Sequence, residues 1–249
     1  MTASASSTRS MLIREKLMRT AERLYAEHGL ASVSVRKIGV AAGQRNKSVV
    51  QYHFTNRDEL IKAILARHTA AIETHRFPMV AALGASGEIS SAQRMACLIM
   101  PTVEHHIELG TPSWYGRFLA QVLVEPAIRD HTMRMHLNTP SLRRLNALGH
   151  LGWPVNDPEL FVQQGAMIRQ FTVHMCAELE YDLAHGRIDA ANAEASWRRL
   201  GADVIKVLSG LRDSRDIGHP ADLLQRTTLA GRNADASRMD AAAGHAHIN

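Results

Sequence analysis

Residues Ser34–Phe54 read SVRKIGVAAGQRNKSVVQYHF. The spacing predicts a short helix from Val35 to about Ala42, a turn over Gly43 to Arg45, and a second helix from Lys47 to about Phe54. Ser34 supplies a hydroxyl for the orphan N–H groups of the first helix, and Gly43 can take the left-handed conformation that ends it. Asn46 caps the second helix. Val35, Ile38 and Ala42 share one face, and Val50 and Phe54 form an i, i+4 pair, so two apolar stripes can pack at an angle. The pattern is a helix-turn-helix. Its outward residues are Arg36, Lys37, Arg45, Lys47, Ser48, Gln51, Tyr52 and His53. Cations and hydroxyls suit phosphates, and amide and guanidinium groups suit base edges in a major groove.

Charge supports that reading. Residues 1–67 hold 12 Lys and Arg against 5 Asp and Glu, whereas residues 68–249 hold 17 against 19. The basic excess behind the formal net charge of +5 is therefore confined to the N-terminal segment, as a nucleic-acid footprint requires. A helix from Ser10 to His28 is expected to cover the helix-turn-helix, with Gly29 ending it. Gly39, in mid-helix, is expected to mark the close approach of a neighbouring helix.

The flanks carry further blocks in order: AERLYAEHGLASVSVRKIGVAAG, then VQYHF, then TNRDEL. From Arg14 through Leu60, about a fifth of the chain, the sequence resembles the DNA-binding domain of the TetR family of transcriptional regulators. Counted back from Tyr52-His53-Phe54, the turn is one residue longer than the usual family pattern, with Gln44-Arg45 where one small apolar residue is common. The resemblance implies that the second helix is the recognition helix. Gln51 and Lys47 are then expected to reach bases, and Ser34, Tyr52, His53 and Arg57 to reach phosphates.

Asn56 is expected to cap a fourth helix, opened by Asp58 and Glu59 at the positive end of its dipole and limited by Pro78. From Ser90 onward the pattern stays helical. Pro101 is expected to kink or break one helix, and Pro126 to interrupt another that starts at Pro112. The short link Gly186-Arg187-Ile188 makes two long helices, Asp157 to His185 and Asp189 to Leu211, an antiparallel pair. Their apolar residues spread over more than one face, so Phe161, Ile168, Trp197, Leu200, Val204 and Leu208 are expected at a homodimer interface. Family relatives dimerise through the corresponding helices.

The expected fold is all-α, with an N-terminal helix-turn-helix three-helix domain and a larger helical domain for effector binding and dimerisation. The expected boundaries are a flexible arm over residues 1–9, the DNA-binding domain over 10–55, the second domain over 56–212 and a mostly flexible tail over 213–249. Cys97 and Cys176 form no C-x-x-C pair and read as reduced core residues. No stretch approaches the roughly 18 uninterrupted apolar residues of a membrane span, and the leader lacks a secretion signal, so a cytoplasmic protein is expected.

Catalysis and metal binding find no support. The 14 histidines lack ligand spacing: His105 and His106 are adjacent and diverge on a helix, and His131 and His136 are five apart. No phosphate loop or nucleophile elbow occurs, and neither cofactor nor metal is expected. Met100, Trp114, Tyr115, Phe118, Met167 and Phe171 are candidates to line an effector pocket, with Arg169 and His174 orienting a polar end. The function expected is a homodimeric repressor on palindromic double-stranded DNA, released by an apolar small molecule. The alternative is a regulator or architectural protein without an effector, controlled by a protein partner.

Overall fold

The computed structural model describes residues 2–44, 49–84, 89–148 and 158–213. The described residues form α1 (Thr2–His28), α2 (Val35–Ala41), α3 (Val49–His53), α4 (Arg57–Leu83), α5 (Ser91–Leu109), α6 (Tyr115–Val122), α7 (Pro126–Leu137), α8 (Pro140–Ala147), α9 (Pro158–Ala184), a 3-10 turn at Ala190–Asn192, and α10 (Ala193–Asp213). No strand occurs among them, and none of these helices is long and apolar enough to cross a membrane. The chain divides into compact units at Ser209 and Gly210, and every contact described below lies within the first. The tail expected from residue 213 onward, apart from Asp213 itself, lies outside the described residues.

Caps set the helix starts. Ser34 Oγ accepts from Lys37 N at 3.2 Å, Asn56 Oδ1 from Glu59 N at 2.9 Å, and Ser90 and Gln93 form a reciprocal capping box. α1 starts at Thr2 and not near Ser10, so the residues expected as a flexible arm belong to its first turns. That leader is Ala, Ser, Thr and Arg, with no Gly or Pro to stop a helix.

Two expected breaks are absent, for different reasons. Pro101 lies within α5, where its ring removes the N–H that would bond the Cys97 carbonyl. Arg76 Nε donates to that carbonyl at 3.2 Å and so replaces the lost bond from another helix. Pro78 lies within α4, which continues to Leu83. Pro78 and Thr74, whose carbonyl it releases, are both exposed, so water can serve as the donor.

Leu17, Ala21 and Tyr25 of α1 are fully buried against Ile38 of α2, Val50 of α3 and Leu60, Ile61, Ile64 and Leu65 of α4. Each such aliphatic side chain contributes about 1.5–3 kcal/mol by leaving water. A Cβ on Gly39 would stand 3.3 Å from Val50 Cγ2, so α2 and α3 do approach closely at the residue without a side chain. The same core continues into Phe118, Val122 and Ile128, and the Phe118 ring stacks on Tyr25 with centroids 6.1 Å apart. Packing is therefore continuous across the boundary expected at residues 55 and 56. A second core joins Met95, Ile99 and Val103 of α5 to Cys176 and Leu183 of α9 and to Trp197, Val204 and Leu208 of α10.

Candidate nucleic-acid interface and the cavity behind it

α2 and α3 present Arg36, Lys37, Gln51 and Tyr52 to solvent, with Tyr52 80% exposed. Ser34 is exposed at the start of α2, and His53 is half-buried at the end of α3. Burial, assisted by the Arg14 charge, holds the His53 imidazole below its usual pKa, so near neutral pH it presents a neutral ring. Arg14 itself lies over the Phe54 ring, 4.9 Å from its centroid, which fixes one cation beside the end of α3. Arg45, Asn46, Lys47 and Ser48, all expected at the interface, lie outside the described residues.

Arg57 departs from the phosphate-facing position expected of it. Its guanidinium is about two-thirds buried and stands 3.9 Å from Glu125, which precedes α7. The start of α4 thereby meets the corner between α6 and α7. Gln121 of α6 makes a second link: its Oε1 accepts from Leu30 N at 3.0 Å, and its Nε2 donates to the Ala26 carbonyl at 3.4 Å. α6 thus holds the end of α1 through polar bonds and through the Phe118 ring.

The opposite end of α6 is held by α9. Glu180, 1% exposed, accepts from Ser113 Oγ at 3.0 Å, Gly116 N at 3.1 Å, Arg117 N at 3.0 Å and Arg117 Nε at 3.1 Å. Burial lifts its carboxyl above the usual range in spite of those four bonds. Gly116 permits the approach, since a Cβ there would meet the Ala177 backbone at 3.2 Å.

Between α4, α5, α6, α7, α8 and α9 lies a cavity of about 710 Å³. Ile72, Leu98, Ile99, Leu119, Leu123, Leu142, Leu145 and Val173 give it an apolar wall, into which Arg76, Arg94, Arg129 and Arg169 also project. Of the six residues expected to line a pocket, Tyr115 does so. Phe118 is spent on Tyr25, and Met100 packs where a Cβ on Gly201 of α10 would stand 2.8 Å from its sulfur. Trp114 precedes α6 and is not part of the lining. On α9 the lining includes Ala166, Ile168, Arg169, Thr172 and Val173, which turns Met167 and Phe171 to the opposite side, 51% and 37% exposed. His174 is exposed as well and does not reach the cavity.

Arg169, expected to orient a polar end, does line the cavity, whereas Arg76, Arg94 and Glu180 were not singled out, although a charge at apolar-stripe spacing marks each of them. Arg76 lies between Ile72 and Val80, Arg94 four residues before Leu98, and Glu180 between Cys176 and Leu183. Such a residue is buried with its charge, and burial makes it functional or structural rather than solvating.

Beside Tyr115 runs a buried polar chain. Arg67 pairs with Glu22 of α1, whose carboxylate lies 3.1 Å from His68 Nε2, and His68 Nδ1 lies 2.7 Å from His105 Nε2. His68 stacks on Tyr115 at 4.0 Å, while His106 stacks on Trp197 at 4.3 Å. Burial pushes both His105 and His106 down to about 3. In the unfolded chain both regain a pKa near 6.5, so the unfolded state binds more protons between those values, and stability falls as pH falls below about 6.5. With about 1.4 kcal/mol per pKa unit, acidification to pH 5 is expected to cost about 2 kcal/mol per ring. Denaturant titrations at pH 7.5, 6.5 and 5.5 check this; a flat stability profile would refute the neutral buried rings.

The residues expected at a dimer interface are also redistributed. Trp197, Val204 and Leu208 are 1%, 3% and 6% exposed inside their own protomer, so they are core and not partner-facing. Ile168 and Leu200 pack partly buried against the same cluster, and the side chain of Phe161 lies outside those described. The correction has a simple cause: Gly201 lets α10 lie close on Met100 and Val103 of α5, which consumes its apolar stripe. The large apolar residues left exposed on these two helices are Val162, Met167, Phe171, Met175 and Tyr181 on α9 and Val207 on α10.

The family model described as "Bacterial regulatory proteins, tetR family" matches residues 17–64, from within α1 through α2 and α3 into α4. Among solved structures, a TetR family transcription regulator from Marinobacter aquaeolei VT8 aligns with a TM-score of 0.49 and 15% identity, covering 80% of this chain and 97% of its own. No curated protein matches the sequence.

Proposed function

We propose that this chain, whose residues 17–64 match the family model of the tetR bacterial regulatory proteins, is a DNA-binding transcriptional regulator of that kind, a homodimeric repressor released from a palindromic operator by a small molecule in the cavity. One observation carries the effector reading. α6 gives Tyr115 and Leu119 to the cavity wall and Phe118 and Val122 to the core of the helix-turn-helix. An occupant that displaces α6 must therefore displace α1, and α4 moves with it through Arg57 and Glu125.

The effect on DNA follows from geometry. Two recognition helices must sit about one DNA turn apart, roughly 34–36 Å, so a modest pivot of α4 in each subunit spoils both half-sites together. To swing the population from 1:99 to 99:1 the effector must prefer the pivoted state by about 10⁴-fold. Operator DNA must then weaken effector binding by the same factor. Affinity for a compound found to release DNA, measured with and without an operator selected from random duplexes, tests this. Equal affinities would mean that the compound is no inducer.

Reading of sequence is assigned to Gln51 and Lys47, and contacts to phosphates and the groove edge are assigned to Arg36, Arg45, Asn46, Ser48, Ser34, Tyr52 and His53. Gln51→Ala is expected to relax the selected consensus at one position, at about 1–3 kcal/mol for a bidentate contact. Arg36→Ala should weaken all sequences alike and reduce the slope of log affinity against log salt by about 0.9. A selected consensus that Gln51→Ala leaves unchanged would refute the register.

A further inference from the structure

We propose that the effector is an amphipathic organic acid, an apolar body ending in a carboxylate that Arg169 anchors beside Arg129. The proposal rests on the effector reading above and deepens it. Four arginines line the cavity against one carboxylate, Asp130. Two of them have structural work: Arg76 pairs with Glu73 at 2.9 Å and bonds the Cys97 carbonyl, and Arg94 donates to the Leu145 carbonyl at 2.9 Å.

Arg129 and Arg169 differ. Among the described residues no carboxylate, Asp130 included, stands within 4.0 Å of either guanidinium. Arg169 Nε is buried with no acceptor. Burial, and then the charge of Arg129, holds the Arg169 guanidinium below its usual pKa; Arg169 is half-buried, and Arg129 stands exposed at the rim. A half-buried guanidinium with an unsatisfied Nε and a like charge nearby, on the wall of a largely apolar cavity, is costly unless an anion joins it. A carboxylate satisfies this arrangement best, because the guanidinium fork presents paired N–H groups to its two oxygens.

The rest of the wall sets the body of the ligand. Leu98, Ile99, Leu119 and Leu142 offer an aliphatic surface, and a volume of about 710 Å³ lies within the range of sites that enclose one small molecule. A purely apolar effector would leave the cations unpartnered, and a small inorganic anion would leave the aliphatic wall wet. An acid with a hydrocarbon body answers both requirements.

The test is calorimetric titration of the full chain with decanoate and with decanamide, which share their length and differ in charge. Decanoate is expected to bind at least about tenfold tighter, as a charge-assisted hydrogen bond supplies. Arg169→Gln should bring the two affinities together by weakening decanoate far more than decanamide, and Arg129→Gln, at an exposed position, should narrow the gap should Arg169→Gln fail to fold. Equal binding of acid and amide would overturn the carboxylate assignment and leave the effector reading intact, since a neutral ligand would then occupy the cavity. Binding of neither would overturn it too, with the effector reading still judged by DNA release. A preference for decanoate that survives both substitutions would remove Arg169 as the anchor.

Discussion

Glu180→Ala is expected to lower the unfolding free energy by about 3–5 kcal/mol, the range for breaking a buried charged network by removing one partner. The carboxylate is 1% exposed and receives four hydrogen bonds, two of them from the backbone N–H groups of Gly116 and Arg117 that open α6. A helix start has no internal acceptors for such groups, so their loss leaves buried donors without partners, together with Ser113 Oγ and Arg117 Nε. Glu180→Gln keeps one acceptor oxygen. Because burial already disfavours the charged carboxylate, the amide is expected to cost less, about 1–3 kcal/mol. Equilibrium denaturation of both variants decides the matter. A loss below about 1 kcal/mol for Glu180→Ala would mean that water replaces the carboxylate and that α6 is held by its packing alone.

The consequence reaches function because α6 is the shared wall of the cavity and the DNA-binding core. Its N-terminus is fixed to α9 by Glu180 and its later turns to α1 by Phe118 and Gln121. Weakening the first attachment frees the helix that effector occupancy is proposed to move. A stability defect and an altered DNA affinity are therefore expected in the same variant.

The helix-turn-helix was legible because its determinants are local. Ser34, Gly43 and Asn56 act on neighbouring backbone groups, and Val35, Ile38 and Val50 report their faces by spacing. Pro101 misled for the opposite reason: the donor that rescues its helix, Arg76, lies 25 positions away in sequence and on another element. The pocket failed in the same manner. Phe118 is consumed by the larger core, and the cavity wall is left to Tyr115, aliphatic residues and arginines, Arg169 among them. Apolar spacing shows that a helix face is buried but not which neighbour buries it, and this is also why α10 was assigned to a partner and not to α5.

That reassignment changes the experiment on dimerisation. Val204→Asp places a charge in the interior beside Met95 and Ile99 and is expected to unfold the protomer, so it cannot report on association. Met167, Phe171 and Met175 lie four apart on α9 and are 51%, 37% and 37% exposed, a continuous apolar stripe that a second copy of the chain would cover. Charged substitutions there are expected to remove the proposed association without disturbing a packed core. Phe171→Asp combined with Met167→Asp is expected to give a folded monomer. Two linked recognition helices gain about 10²–10⁴-fold over one through effective concentration. The double variant should lose affinity for a palindrome by about that factor, while affinity for a single half-site stays near its original value. Sedimentation, helical circular dichroism and DNA titration measured together separate the possibilities: a folded variant that remains dimeric would move the interface elsewhere, and a folded monomer with undiminished palindrome affinity would show that DNA binding does not require the dimer.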